Sequence, residues 1–123
     1  MAVSVLAVGD VFPDVPDGRR SFAALEPLFE AADVVFGNCE GVYSDRPAPS
    51  PSHKHFMGAP REHGSMLGAV GFDVMTLANN HMVDGGYAGL EDTLVLLHEQ
   101  GIATTGMSTS LESPSDPAGR LPP

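Results

Sequence analysis

Three short apolar runs in this chain each end in side chains that can bind a metal or move a proton. The runs are residues 3–8, 34–36 and 72–77, and the side chains that follow them are Asp10, Glu40, Asn80 and His81. Polar groups at the end of a buried strand are costly to desolvate unless something there uses them. Open α/β sheets bind ligands at the carboxyl ends of their strands. The sequence therefore predicts an active site built from three strand ends.

The chemistry expected at this site is metal binding combined with proton transfer. Carboxylates at Asp10 and Glu40 are hard ligands, Glu40 could bridge two ions, and an amide oxygen at Asn80 adds a ligand without charge. His81 can donate or accept a proton, and Asp10 can hold a base, so these two are the predicted catalytic residues. The expected cofactor is one or two divalent ions, Mn²⁺, Zn²⁺ or Ca²⁺. The alternatives are a turn-capping role for Asp10 and an arginine partner for Glu40.

Four further residues are assigned to substrate contact or to support of the site, and they are Asn79, Asp84, His53 and His55. Asp84 lies three residues after His81 and either orients its imidazole or caps the next helix, with capping preferred. In an extended segment His53 and His55 face the same side and could bind a metal. No further Cys or His is nearby, so a surface or substrate contact is preferred for this pair.

Three other reactive side chains are not assigned to the site. Cys39 has no flanking cation to lower its pKa, so it is expected to be a small buried residue rather than a nucleophile. His63 and His98 fall on expected helices as ordinary, partly exposed residues.

Hydrophobic patterning predicts the elements that carry these residues. Strands are expected at residues 3–8, 34–38, 72–77 and 102–105, the first of them buried on both faces. A first helix is expected after Ser21, either kinked at Pro27 or beginning there. Helices ending at Gly71 and Gly101 are expected next. The four prolines between residues 41 and 60 exclude regular structure there, and a loop of that length is expected to be functional or disordered.

The order of these elements predicts an α/β fold of βαβ units with a mostly parallel sheet. Residues 1–107 form the domain portion, and residues 108–123, rich in Ser, Pro and Gly, are expected to be a disordered tail or a truncated continuation. Parallel sheets need cover on both faces. Three helices over four strands therefore indicate the first half of a larger domain.

Composition excludes several classes of partner. Six basic residues against 16 acidic residues give a formal charge of −10, which disfavours nucleic acid and anionic membranes. One cysteine excludes an internal disulfide. No apolar run approaches the roughly 18 residues that a membrane helix needs, so a soluble, cytoplasmic protein is expected.

Residues 3 to about 106 resemble the CapA-like family of capsule or poly-γ-glutamate synthesis proteins, which has a calcineurin-like metallophosphatase fold. The resemblance is carried by Val8-Gly9-Asp10, by Gly37-Asn38-Cys39-Glu40-Gly41 and above all by residues 71–84, with their Ala-Asn-Asn-His-x-x-Asp element. It implies a four-layer α/β/β/α fold of which this chain is the first half. It also implies that Asp10, Glu40 and Asn80 bind metal and that His81 is the acid/base residue. Further histidines would come from the C-terminal half of the domain, which is absent here.

The resemblance implies a metal-dependent enzyme doing acid/base chemistry on a peptide or polyglutamate substrate. One alternative is a peptide epimerase that abstracts an α-proton, as in lasso-peptide tailoring. A second is a two-metal phosphoesterase, although Phe12 stands where phosphoesterases of this fold carry a histidine. A third is an inactive, truncated binding module, since half a metal site binds weakly.

Overall fold

The computed structural model describes residues 1–48 and 55–107, and strands and helices alternate along them. The strands are β1 (Val5–Val11), β2 (Val34–Cys39), β3 (Val42–Tyr43), β4 (Gly58–Ala59), β5 (Val74–Thr76) and β6 (Ala103–Thr105). The α-helices are α1 (Glu26–Ala31), α2 (Leu67–Val70) and α3 (Gly86–Glu99), and 3₁₀ turns occupy Gly18–Phe22 and Arg61–Gly64.

Four of these strands form one parallel sheet in the order β1-β2-β5-β6. Each pair of neighbours is parallel, and the segments between them contain the helices. The predicted α/β class with a mostly parallel sheet is therefore confirmed. The arrangement is consistent with the first half of a metallophosphatase-like fold.

One face of this sheet carries the core. Its inward residues Val35, Cys39 and Met75 are buried together with Leu90 and Leu97 of α3. Aromatic rings extend this core, since Phe72 packs edge-on against Phe22 and Phe29. Successive side chains of a strand point to opposite faces, and burial alternates along β2. The helices therefore cover a single face of the sheet.

The opposite face is open in the part of the chain that the structure describes. Ala7, Phe36, Val74 and Ala103 lie in register across the four strands, and each is partly or fully exposed. Val5 on the edge strand retains 64% of its accessible surface. The expectation that the first strand is buried on both faces is therefore wrong, because β1 is an edge strand with cover on one side only.

One further expectation about local structure is also wrong. The proline-rich stretch holds regular structure at both ends, where β3 and β4 form a parallel pair. This pairing joins segments 16 residues apart, which local composition does not reveal.

Of the two alternatives for the first helix, the start at Pro27 agrees with the structure to within one residue. The helix α1 begins at Glu26 and has Pro27 in its first turn, where a missing N–H costs nothing, whereas Ser21 belongs to a 3₁₀ turn.

The predicted ends of the second and third helices are confirmed. Gly71 follows α2 with φ of 113°, and Gly101 follows α3 with φ of 77°. Both values lie in the left-handed region that favours glycine. Each turn leads the chain directly into a strand of the main sheet.

Two expectations remain, one about the end of the domain portion and one about membrane-spanning segments. Residues 108–123 lie outside the described residues, so the division at residue 107 stays a prediction. Within residues 1–48 and 55–107, no helix has the length and apolar character needed to cross a bilayer.

Candidate metal and proton-transfer site

The predicted site residues lie around one edge of the sheet, at the carboxyl ends of β1, β2 and β5. Asp10 pairs with Asn38, and Asn38 pairs with Thr76, so these three residues form a row across the strands. The register of β1 shifts between Ala7 and Asp10, and the strand runs on to Val11. Asp10 is therefore the penultimate residue of its strand rather than the first residue after it.

A single side-chain amide joins the two predicted acidic ligands. Asn38 Nδ2 donates to Asp10 Oδ1 at 2.8 Å and to Glu40 Oε2 at 2.5 Å. Glu40 therefore has an amide partner, and it forms no ion pair with any arginine of the described residues. Because both carboxylates accept from the same nitrogen, their negative charges lie close together. The strand ends thus converge as predicted.

The third strand end is tied to this pair through Asn79. Asn79 Nδ2 donates to Asn38 Oδ1 at 3.0 Å and to the carbonyl oxygen of Cys39 at 2.7 Å, while its Oδ1 accepts from the backbone N–H of His81 at 3.0 Å. Asn80, the predicted amide ligand, is exposed and makes no hydrogen bond within the described part of the chain. Asn79 is therefore the supporting residue, and Asn80 faces solvent.

His81 forms a hydrogen-bonded pair with Asp84. The Nδ1 atom of His81 lies 2.8 Å from Asp84 Oδ2, and the side-chain exposures are 15% for His81 and 0% for Asp84. Asp84 Oδ2 also accepts from the backbone N–H of Met57 at 2.9 Å. The preference for a helix-capping Asp84 is wrong, because Gly85 occupies the N-cap of α3 and no side chain caps it. The carboxylate instead orients the imidazole.

No side chain of the other reactive residues in the described part of the chain forms a hydrogen bond to Asp10, Asn38, Glu40 or Asn79, and one of these residues lies outside that part. His53 lies outside the described residues, and His55 is exposed. Cys39 is fully buried, and burial raises the pKa of its thiol to about 12, so the thiol is neutral and inert near pH 7. His63 pairs with Asp14 at 3.0 Å.

Sequence reasoning assigned no role to Asn38, although it lies at the centre of the hydrogen-bond network. One signal was available. Asn38 and Glu40 are two residues apart at the end of a strand, so their side chains point to the same face. Asp10 lies opposite Asn38 only through the register of β1 and β2, which the sequence does not specify.

The donor set at this edge suits a hard divalent cation but is incomplete. Carboxylate and amide oxygens are the ligands that Mg²⁺, Mn²⁺ and Ca²⁺ prefer. No lysine or arginine side chain contacts Asp10 or Glu40 in residues 1–48 and 55–107, so a cation would relieve their repulsion. The same residues contain no group of three or more His, Cys, Asp or Glu side chains able to hold a metal. Further ligands would have to come from elsewhere.

A cavity of about 430 Å³ opens beside Asp10. Its walls are mainly apolar and include Val8, Phe12, Phe22 and Leu25. The Phe12 ring packs against Tyr43, with ring centroids 5.3 Å apart. Phe12 therefore has a packing role beside Asp10.

Comparisons with known proteins give one family model and several relatives. The family model described as "Bacterial capsule synthesis protein PGA_cap" matches residues 4–120. Two proteins of Sinorhizobium fredii (strain NBRC 101917 / NGR234), "Uncharacterized protein y4sH" and "Uncharacterized protein y4uA", are each 34% identical to this chain over 116 residues, which cover 87% of it. The "PGA biosynthesis protein CapA" of Bacillus subtilis (strain 168) is 32% identical over 91 residues, or 73% of this chain.

These relatives are much longer than the chain described here. The matched region covers 25% of each Sinorhizobium protein and 24% of the Bacillus protein. The chain therefore spans about a quarter of the length of the curated relatives that it matches.

Proposed function

Since the chain belongs to the bacterial capsule synthesis protein family PGA_cap, we propose that it supplies part of an active site for metal-assisted acid/base chemistry on a peptide or glutamyl-type substrate. The observation that carries this proposal is the convergence of two carboxylates on the Asn38 amide, one hydrogen-bonded step from the strand end that bears the His81–Asp84 pair. The expected setting is capsule or poly-γ-glutamate synthesis. The description of the Bacillus relative as a PGA biosynthesis protein supports that setting.

In this proposal a divalent ion is held by Asp10, Glu40 and Asn80. The two carboxylates supply the charge, and the exposed Asn80 amide is free to turn its oxygen toward the ion. A bound ion at this edge would polarise a substrate carbonyl. Because the described residues supply too few ligands for a closed site, the remaining ligands are proposed to come from the part of the protein that the longer relatives possess.

His81 is proposed as the residue that moves the proton. A carboxylate partner at Nδ1 places the proton on that nitrogen and leaves Nε2 as the basic atom. Burial of Asp84 fixes the direction of the ring, since its carboxylate is also held by the N–H of Met57. Nε2 can therefore accept a proton from a nucleophile or from an α-carbon next to the polarised carbonyl.

The hypothesis of a two-metal phosphoesterase has less support than that of an enzyme acting on an amide or an α-carbon. Phe12 packs against Tyr43 beside Asp10 and offers neither a ligand nor a proton. The base at His81 serves hydrolysis, transfer or epimerisation equally well, so the product must identify the reaction.

The test is turnover of a γ-glutamyl peptide in deuterated water with Mn²⁺, Zn²⁺ or Ca²⁺, followed by mass spectrometry. Deuterium at an α-carbon would indicate epimerisation, while cleavage or a new amide bond would indicate hydrolysis or transfer. We expect His81→Gln to reduce turnover by roughly 100-fold or more. His98→Gln is the matched control, because His98 bonds Thr104 on the helical side of the sheet. Equal turnover by the two variants would contradict the proposal.

A further inference from the structure

We propose that Asn38 is a positioning residue that holds the carboxylates of Asp10 and Glu40 together, and that backbone groups fix the direction of its amide. This inference rests on the proposed function only where it assigns metal binding to the two carboxylates. The arrangement itself rests on five hydrogen bonds.

The first step is the orientation of Asn79. Its Oδ1 accepts from the backbone N–H of His81, and its Nδ2 donates to the backbone carbonyl of Cys39. A backbone N–H can only donate and a carbonyl can only accept, so a reversed Asn79 amide would lose both bonds. The two neighbouring strand ends therefore dictate which end of Asn79 carries the nitrogen.

The second step transmits that orientation to Asn38. The second hydrogen of Asn79 Nδ2 points at Asn38, which must present its oxygen there, at 3.0 Å. The nitrogen of Asn38 is then left facing Asp10 and Glu40. Ionised carboxylates only accept, so this end of the relay demands the same direction. Both ends agree, because a turned Asn38 amide would place two N–H donors against each other at Asn79 and turn its oxygen toward the carboxylates.

The consequence is that Asn38 serves as a donor to the metal-binding carboxylates and not as a metal ligand. Its two N–H groups offset the repulsion between Asp10 and Glu40 and hold one oxygen of each in place. The other carboxylate oxygens remain available to a cation. Because Asn79 depends on the His81 backbone, the same relay fixes the strand end that bears the proposed base relative to the carboxylates.

The test compares Asn38→Asp with Ser21→Asp by thermal unfolding in chelator and in Mn²⁺. Asn38→Asp keeps the shape of the side chain but turns a donor into a third carboxylate. Ser21→Asp is the control because it adds the same charge at an exposed residue that forms no hydrogen bond with Asp10, Asn38 or Glu40. In chelator we expect Asn38→Asp to melt at least about 5 °C below the control, because two hydrogen bonds to charged groups are lost and a third carboxylate is placed beside Asp10 and Glu40. In Mn²⁺ most of that difference should disappear, because the ion neutralises the added charge.

Equal melting temperatures for the two variants in chelator would overturn the inference. If Asn38→Asp does not fold, Asn38→Ala decides the matter: a melting temperature equal to that of the wild type would overturn the inference, and a lower one would support it. The proposed function fails separately. A wild-type chain whose melting temperature and calorimetric titration do not respond to Mn²⁺ would contradict metal binding, while the chelator comparison would still decide the role of Asn38.

Discussion

At the scale of single residues, the His81–Asp84 pair differs from the His63–Asp14 pair in what surrounds its carboxylate. His81 contacts Asp84, whose side chain is 0% exposed, and His63 contacts Asp14, whose side chain is 54% exposed. The first carboxylate is held from a second side by the N–H of Met57. A buried carboxylate with fixed donors orients an imidazole, whereas an exposed one is screened by water.

Replacement of each carboxylate by an amide should separate the two pairs. Asp84→Asn should lower the free energy of unfolding by about 1.5–3 kcal/mol, because charged hydrogen bonds in a buried setting are weakened. Asp14→Asn, the matched control, should cost less than about 1 kcal/mol. Urea denaturation at pH 7 measures both values, and equal costs would contradict the account of Asp84.

At the scale of elements, the short helices and strands are positioned by glycine turns at helix ends and by a few long-range side-chain contacts. The left-handed glycines Gly71 and Gly101 turn two helices into strands of the main sheet. Arg46 ties the segment after β3 to α3, since it bonds Asp92 at 2.7 and 2.9 Å and the carbonyl oxygen of Ala88 at 2.7 Å. Ser44 reinforces this contact through its own hydrogen bond to Asp92.

The two glycines allow backbone strain to be separated from crowding. Gly101→Ala should cost about 1–2 kcal/mol from its positive φ alone, because nothing lies within 4 Å of the added methyl position. Gly71→Ala should cost more, because its methyl would also lie 3.3 Å from Phe29 Cβ. Gly9→Ala, with open space and no positive φ, is the control for stability. Urea denaturation that ranked Gly9→Ala as the most harmful would contradict this assignment.

The Arg46–Asp92 contact should make stability depend on pH in acid. The hydrogen bond from Arg46 holds the pKa of Asp92 below its usual value, and Ser44 acts in the same direction. A carboxyl with a lowered folded pKa stabilises the fold above its unfolded pKa, near 3.8, and loses that effect as pH falls through the folded pKa. Asp92→Asn should therefore be less stable than wild type at pH 7 and approach it near pH 3. A stability difference that stays constant between these pH values would contradict the assignment.

At the scale of the whole molecule, the sequence was informative where structure is local. The parallel βαβ order, the glycine stops and the three converging strand ends were predicted because each leaves a pattern within about 15 residues. The β3–β4 pair, the contact between Asp84 and Met57, and the place of Asn38 opposite Asp10 were missed. Each of these depends on register or long-range pairing, which composition and periodicity do not specify.

The sheet itself has a buried face and an open face, and the candidate site lies on the open one. Asn38 and Thr76 continue the same face as Phe36 and Val74 toward the carboxyl edge. A layer of structure packed against Phe36 and Val74 on the open face would therefore also cover the candidate site. The four-layer fold implied by the family resemblance would place a second layer on this face.

Neighbouring residues of β5 test whether the open face is exposed in solution. Met75→Thr should cost about 2–5 kcal/mol, because Met75 is fully buried and the change brings a hydroxyl into the core. Val74→Thr, one residue away on the open face, should cost less than about 1 kcal/mol. Equal losses in urea denaturation would show that the open face is covered by another surface, such as a second copy of the chain.

The most direct test of the central claim is a calorimetric titration of Mn²⁺ into the wild-type chain and two aspartate variants. The account predicts binding by the wild type and a loss of at least about tenfold in affinity for Asp10→Asn, since a charged ligand is removed. Asp17→Asn, which removes the same charge from an exposed residue in the following loop, should bind as the wild type does. Equal affinities for all three proteins, or no binding by the wild type, would contradict a metal site at the converging strand ends.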